Sequence, residues 1–259
     1  MVSNLTISFM IIAAGIAILI PIAILIYHKR NSNIAWRPIF VGVLIFIVFS
    51  QILGKIFNVY WLSINSTTAE VILQNTYIYA IYGGISAALF EETGRFVAFY
   101  LILKKYREWK DGLSYGIGHG GIEALIIGVL AAVQNISTSV MINSGVFENL
   151  VNQSGENSSS FLAIKEQLIG TPSYMFLLIG LERVSVFFIQ IALSLLILYG
   201  IKIKKPAIFV LGAMIIHTLI NSIPLIFKGL EFSIFLTEGF IVLVGILSII
   251  VIGKIKLRF

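Results

Sequence analysis

The stretch FEETGRFVAFY, residues 90–100, sets Glu91, Glu92 and Arg95 inside a segment that is otherwise largely apolar between Gln74 and Leu103. Glu91 and Arg95 are four residues apart, as are His119 and Glu123, and His217 and Asn221, so each pair shares one face of a helix. Glu182 and Arg183 add an adjacent pair within another apolar run. Cysteine is absent, which removes disulfides, thiolate metal sites and cysteine nucleophiles. What remains is imidazole and carboxylate, the set that holds zinc without thiolates and leaves a position open for water. A spare glutamate beside such a site can act as general base.

These residues must be positioned by helices that cross a membrane. Of the 259 residues, 58% are hydrophobic and only 12% charged, where soluble chains carry about 25% charged residues. Mean hydropathy is +1.00. The sequence therefore predicts an all-α, polytopic transmembrane helical bundle forming a single integral membrane domain over 1–259. Apolar runs long enough for about 30 Å of hydrocarbon fall near 5–27, 38–60, 76–103, 112–134, 172–201, 206–227 and 232–253, giving about seven spans. The first run has no basic n-region or small-residue cleavage site and is expected to be a retained helix.

Every second connection is basic: Lys29, Arg30 and Arg37, then Lys104, Lys105, Arg107 and Lys110, then Lys202, Lys204 and Lys205, then Lys254, Lys256 and Arg258. The others carry Glu70, then Glu148, Glu156 and Glu166 with Lys165, then Lys228 with Glu231. By the positive-inside rule the N-terminus is outside and the C-terminus cytoplasmic. The net charge of +6 is a topology and anionic-lipid signal, with no nucleic-acid partner implied. Residues 136–171, with NQSGENSSS at 152–160, read as a flexible external loop, a spacer or a lid, with room for a short amphipathic helix near Phe161 to Leu168.

With that topology, about 1.5 Å of rise per residue puts Glu91 about 18 Å from the cytoplasmic end of its helix. Glu123 and His217 lie about 16 Å from theirs and His119 roughly 10 Å. Ionisable groups at such depth are functional hypotheses by default. Each has a blander reading: Arg95 neutralising Glu91 or Glu92, a histidine as interhelical glue, Glu182 with Arg183 as a structural pair or a contact to Glu123. Lys55 is expected to snorkel to the external interface and His28 to sit beside a basic loop. Their conjunction at one depth favours chemistry. Gly112, Gly116 and Gly120, with Gly118 and Gly121 beside them, let another helix approach closely or make room near His119.

Glu91-Glu92-x-x-Arg95, Tyr115-x-x-x-His119 and His217-x-x-x-Asn221, in that order, resemble the motifs of the CAAX prenyl-protease and bacteriocin-processing superfamily of intramembrane proteases. GIGHGGIEALIIG (116–128) and Leu181-Glu182-Arg183 resemble its bacterial YhfC-type branch of intramembrane metalloproteases. The resemblance covers about half the chain. It implies that Glu91 activates the attacking water, that His119 and His217 hold the metal or polarise water, and that Asn221 serves as ligand or oxyanion donor. Glu92 and Arg95 would orient these groups. Glu123 is open between a third metal ligand and the base itself, and Glu182, Arg183 and Tyr115 are supporting residues. Two residues separate Glu92 from Arg95 where the prenyl proteases have three, as in PrsW-type proteases, and Tyr115 stands where phenylalanine is usual. The shorter spacing leaves open which glutamate faces the cavity.

The expected function is an intramembrane endopeptidase of the bacterial cytoplasmic membrane, using glutamate-activated water and Zn²⁺ on a membrane-embedded or lipidated peptide. Two other classes compete: a proton- or cation-coupled transporter, in which the same groups form an ion path, and a catalytically silent immunity or scaffold protein.

Overall fold

The computed structural model describes residues 1–155 and 158–259, and these form helices with no strand among them. Glu156, counted above among the acidic connections, lies outside the described residues. In chain order the helices are α1 (Asn4–Asn31), α2 (Trp36–Ile64), α3 (Ser66–Leu73), α4 (Thr76–Val97, prolonged by the π-wound turn Ala98–Ile102), α5 (Trp109–Asn143), α6 (Val146–Gln153), α7 (Ser158–Gly170), α8 (Ser173–Lys202), α9 (Pro206–Gly229) and α10 (Ile234–Lys256). Six of them, α1, α2, α5, α8, α9 and α10, are long and apolar enough to cross a membrane. The expected seventh, α4, has the length but, with Glu91, Glu92 and Arg95 in it, is less apolar than the other six.

Two compact groups of residues divide the chain, one of Met1–Ile20 with Ala124–Val184, the other of Pro21–Glu123 with Ser185–Phe259. The first is built on Val2, Met10, Ile142, Phe147, Leu168 and Phe176. This core explains why the segment expected to be an irregular loop is largely helical. Helix α5 runs on to Asn143, α6 buries Phe147 and α7 buries Leu168. The polar residues that suggest a loop are accommodated within the helix: Thr138 Oγ1 donates to the Gln134 carbonyl at 2.9 Å and Ser139 Oγ to that of Asn135 at 2.7 Å. The helix anticipated near Phe161 to Leu168 is α7, but it is not two-faced, since it buries Leu168 while Leu162, Ile164 and Ile169 stay exposed. Asn143 ties this group together, its Oδ1 accepting from the Val2 amide at 2.7 Å and its Nδ2 donating to the Val2 carbonyl at 2.8 Å.

The second group carries the polar centre, and small residues decide its helix pairings. Along α5, a Cβ on Gly112 would meet Leu195 at 2.8 Å, one on Gly116 the Ile191 backbone at 2.6 Å, and one on Gly120 the Gln190 Cβ at 3.1 Å. The four-residue glycine stripe is thus the seam for α8, in antiparallel register. Gly118 and Gly42 make the seam with α2, where a Cβ would collide with the Ile39 and Tyr115 backbones. Helices α4 and α9 close up at Gly84, with Ser222 Oγ donating to the Ala80 carbonyl at 2.9 Å. Without a hydrophobic drive between helices in lipid, such close backbone approach is the main source of packing attraction.

Candidate metal and acid-base centre

The glycine seams bring α4, α5, α8 and α9 together around seven buried polar side chains. Glu91 and Glu92 come from α4, each less than a tenth exposed, with fully buried Arg95 one turn on. His119 and Glu123 come from α5, Gln190 from α8 and His217 from α9, all buried.

Arg95 is the hub. Its Nη1 donates to Glu92 Oε1 and its Nη2 to Gln190 Oε1. Nη2 also stands 3.1 Å from His119 Nε2 and 3.7 Å from Glu91 Oε2. Glu92 is the structural carboxylate: the oxygen that holds Arg95 also accepts from His217 Nδ1 at 2.6 Å. That bond fixes the imidazole and turns its Nε2 toward Glu91 Oε2, 4.0 Å away. Glu91 points elsewhere. Its Oε2 lies 3.1 Å from His119 Nε2 and accepts from Gln190 Nε2 at 3.1 Å, and its Oε1 accepts weakly from Ser50 at 3.4 Å. Glu123 Oε2 accepts from the same Gln190 nitrogen at 2.6 Å. Of the paired glutamates, Glu91 therefore joins the group of potential ligands, while Glu92 faces away and bridges Arg95 and His217.

Glu91, His119 and Glu123 each present a donor atom within 4.8 Å of the other two. The residues fit a cation on two counts. Three buried carboxyl groups, Glu91, Glu92 and Glu123, stand against one guanidinium, Arg95; with all three ionised and both imidazoles in the neutral form that ligation requires, two negative charges are left over. Such an excess in a low-dielectric interior costs several kcal/mol per ion unless a counter-charge is present. The hydrogen bonding is also incomplete. His119 Nε2 stands 3.1 Å from both an acceptor and a donor and cannot serve both, while His119 Nδ1, Glu92 Oε2, Arg95 Nε and the Tyr115 hydroxyl are buried without a partner.

Of the other residues singled out above, Tyr115 lies in the site's wall, its ring 5.8 Å from that of His119 and 4.7 Å from Phe99. Phe46 closes the other side of His119, 5.1 Å ring to ring. Asn221 is half-buried one turn beyond His217, with no side-chain hydrogen bond to the cluster among the described residues. Glu182 and Arg183 belong to the other group of residues and pair with each other, as the structural reading anticipated. Lys55 is exposed, and His28 bonds Ser32 through Nδ1 at 3.1 Å.

Gln190 is the residue that a search for ionisable groups passes over, since an amide carries no charge. Its signal was present: it is the one amide in the apolar run VSVFFIQIALSLLIL, residues 184–198.

Residues 16–241 match the family described as YhfC intramembrane metalloprotease. The chain is also 37% identical to the protein named Uncharacterized membrane protein YhfC of Bacillus subtilis (strain 168), over 99% of this chain and 98% of that one. No solved structure matches the chain. The long apolar helices and this relationship make it a multi-pass protein of the bacterial cytoplasmic membrane. A match spanning so much of the sequence, with the buried carboxylates and histidines inside it, means that this chain belongs to the YhfC intramembrane metalloprotease family.

Proposed function

We propose that the chain is an intramembrane endopeptidase that hydrolyses a peptide bond in a membrane-embedded or lipidated peptide, with Glu91 as general base. The observation that carries this reading is the buried excess of carboxylate over guanidinium beside two histidines. His119 and Glu123 would hold a zinc-like cation together with His217, whose Nε2 already faces Glu91. When bound, such a cation supplies a water acidified to near neutral pH and polarisation of the scissile carbonyl.

Glu91 suits the base by its place in the donor group and by not being tied up in the Arg95–Glu92 pairing. It takes a proton from water as the oxygen adds to the carbonyl carbon, and returns a proton to the amine nitrogen as the C–N bond breaks. Glu92 holds His217 through Nδ1 and, with Arg95, keeps the imidazole from rotating. Asn221, on the same face of α9 as His217, is the proposed donor to the developing oxyanion. Phe46, Tyr115 and Phe99 wall the centre with aromatic rings and limit bulk water. With the N-terminus outside, the topology proposed from the basic connections puts the centre roughly midway through the membrane, a depth that suits anchored substrates.

The test compares membrane fractions of the native bacterial host carrying wild-type or Glu91→Gln chain, reading new peptide amino termini by mass spectrometry. Termini that appear only with the wild type support the reading, and identical sets of termini contradict it.

A further inference from the structure

Gln190 has no part in the reaction steps above, yet its one amide touches three of the charged side chains. Its Nε2 donates to Glu123 at 2.6 Å and to Glu91 at 3.1 Å, and its Oε1 accepts from Arg95. We infer that Gln190 is a positioning residue that spaces Glu91 and Glu123 for the cation, an inference that rests on the metal-centre reading just given.

Only one amide orientation serves, because turning it over would set the carbonyl against two carboxylates and the NH₂ against a guanidinium. The backbone there is held as well: Ser194 Oγ donates to the Gln190 carbonyl at 2.7 Å, and Gly120 leaves just enough room for the glutamine stem. The choice of a neutral group matters. Glutamate here would add to the repulsion between the two carboxylates, and lysine would cancel the charge excess that attracts a cation. An amide bridges the carboxylates through two N–H donors and leaves that excess intact. Partners that hydrogen-bond metal ligands typically change metal affinity about 10–100-fold when removed.

The experiment uses the full-length protein in detergent micelles. Zinc affinity is read by competition with a chromophoric chelator, and the ligand field by the visible absorption of cobalt(II) bound in place of zinc. Gln190→Leu is expected to bind zinc about 10–100-fold more weakly and to shift the cobalt bands. Gln190→Asn keeps an amide too short to span both carboxylates, gives the same direction of change and stands in if the leucine variant fails to fold. Ser248→Ala, which removes a like hydroxyl-to-carbonyl bond on α10, should leave both readouts unchanged. Wild-type affinity and cobalt bands in a folded Gln190 variant would overturn the inference and leave Gln190 as interhelical glue. A wild type that takes up neither metal would overturn the metal-centre reading, and this inference with it.

Discussion

Two regions of this chain bury ionisable residues in apolar helices, and they resolve the cost differently. In the group of Met1–Ile20 and Ala124–Val184, Glu182 and Arg183 stand side by side and neutralise each other beside a small alanine- and glycine-lined cavity. In the group of Pro21–Glu123 and Ser185–Phe259, Arg95 is shared among Glu92, Glu91 and Gln190, Glu123 adds a further carboxylate, and atoms of His119, Glu92, Arg95 and Tyr115 are buried without partners. One acid for one base needs nothing further. Three carboxylates for one guanidinium call for a counter-charge, and that imbalance, rather than the presence of charge in a span, marks the candidate metal centre.

The comparison can be broken most directly at the two acids. Glu91→Gln is expected to lower peptide-bond cleavage by about 10²–10⁴-fold while retaining the metal, whereas Glu182→Gln should change it by less than about 3-fold, because removing one side of a partly exposed pair affects stability by about 1 kcal/mol at most. Initial rates on a substrate found from the peptide termini, with metal content measured alongside, check both. Metal loss from Glu91→Gln would instead make Glu91 a ligand.

The next largest effect concerns stability. Saturating zinc at about 100–1,000 times its Kd should add about 3–4 kcal/mol to the wild type, and none to His119→Ala or Glu123→Ala. Thermal unfolding in detergent with zinc or with chelator measures this. The Glu182→Gln chain should gain as much as the wild type.

A smaller effect separates Glu92 from Glu91. Glu92→Gln loses the charge that orients His217, and its zinc affinity should fall by about 10–100-fold, with activity recovering at high zinc. Calorimetric titration with zinc, followed by rate measurements, gives both numbers. The smallest effect is expected at the neutral pair. Arg183→Met should cost about 1 kcal/mol, and Glu182→Gln with Arg183→Met together less than that, since no lone charge is left behind. Chemical denaturation of the two variants compares them.

Much of this was legible in the sequence because lipid enforces simple rules. Apolar run length located helices α9 and α10 to within a few residues, 206–227 against Pro206–Gly229 and 232–253 against Ile234–Lys256. Four-residue spacing placed His119 and Glu123 on one face, and the glycine stripe announced a close helix seam that proves to be with α8. Where hydropathy stops being the controlling quantity, the sequence was less readable. Residues 136–171 read as loop because of their Ser, Asn and Gly content, NQSGENSSS above all, although α5 runs on to Asn143 and the Thr138 and Ser139 hydroxyls bond within it. Which glutamate of the pair joins the potential ligands depended on helix rotation, which spacing alone does not fix. Gln190 is hard to find from sequence because its importance comes from three partners on other helices, which its own neighbours along the chain do not reveal.

The buried carboxylate excess is proposed to hold a divalent cation. Its most direct test is the metal content, by mass spectrometry, of chain purified in mild detergent as wild type, His119→Ala, His217→Ala and Glu91→Gln. Close to one zinc-like ion per chain is expected in the wild type and in Glu91→Gln, with loss in both histidine variants. An absence of stoichiometric metal from every sample would contradict it. Persistent cleavage would then point to glutamate-activated water without a metal, and proton-coupled flux in proteoliposomes without cleavage would point to a transporter.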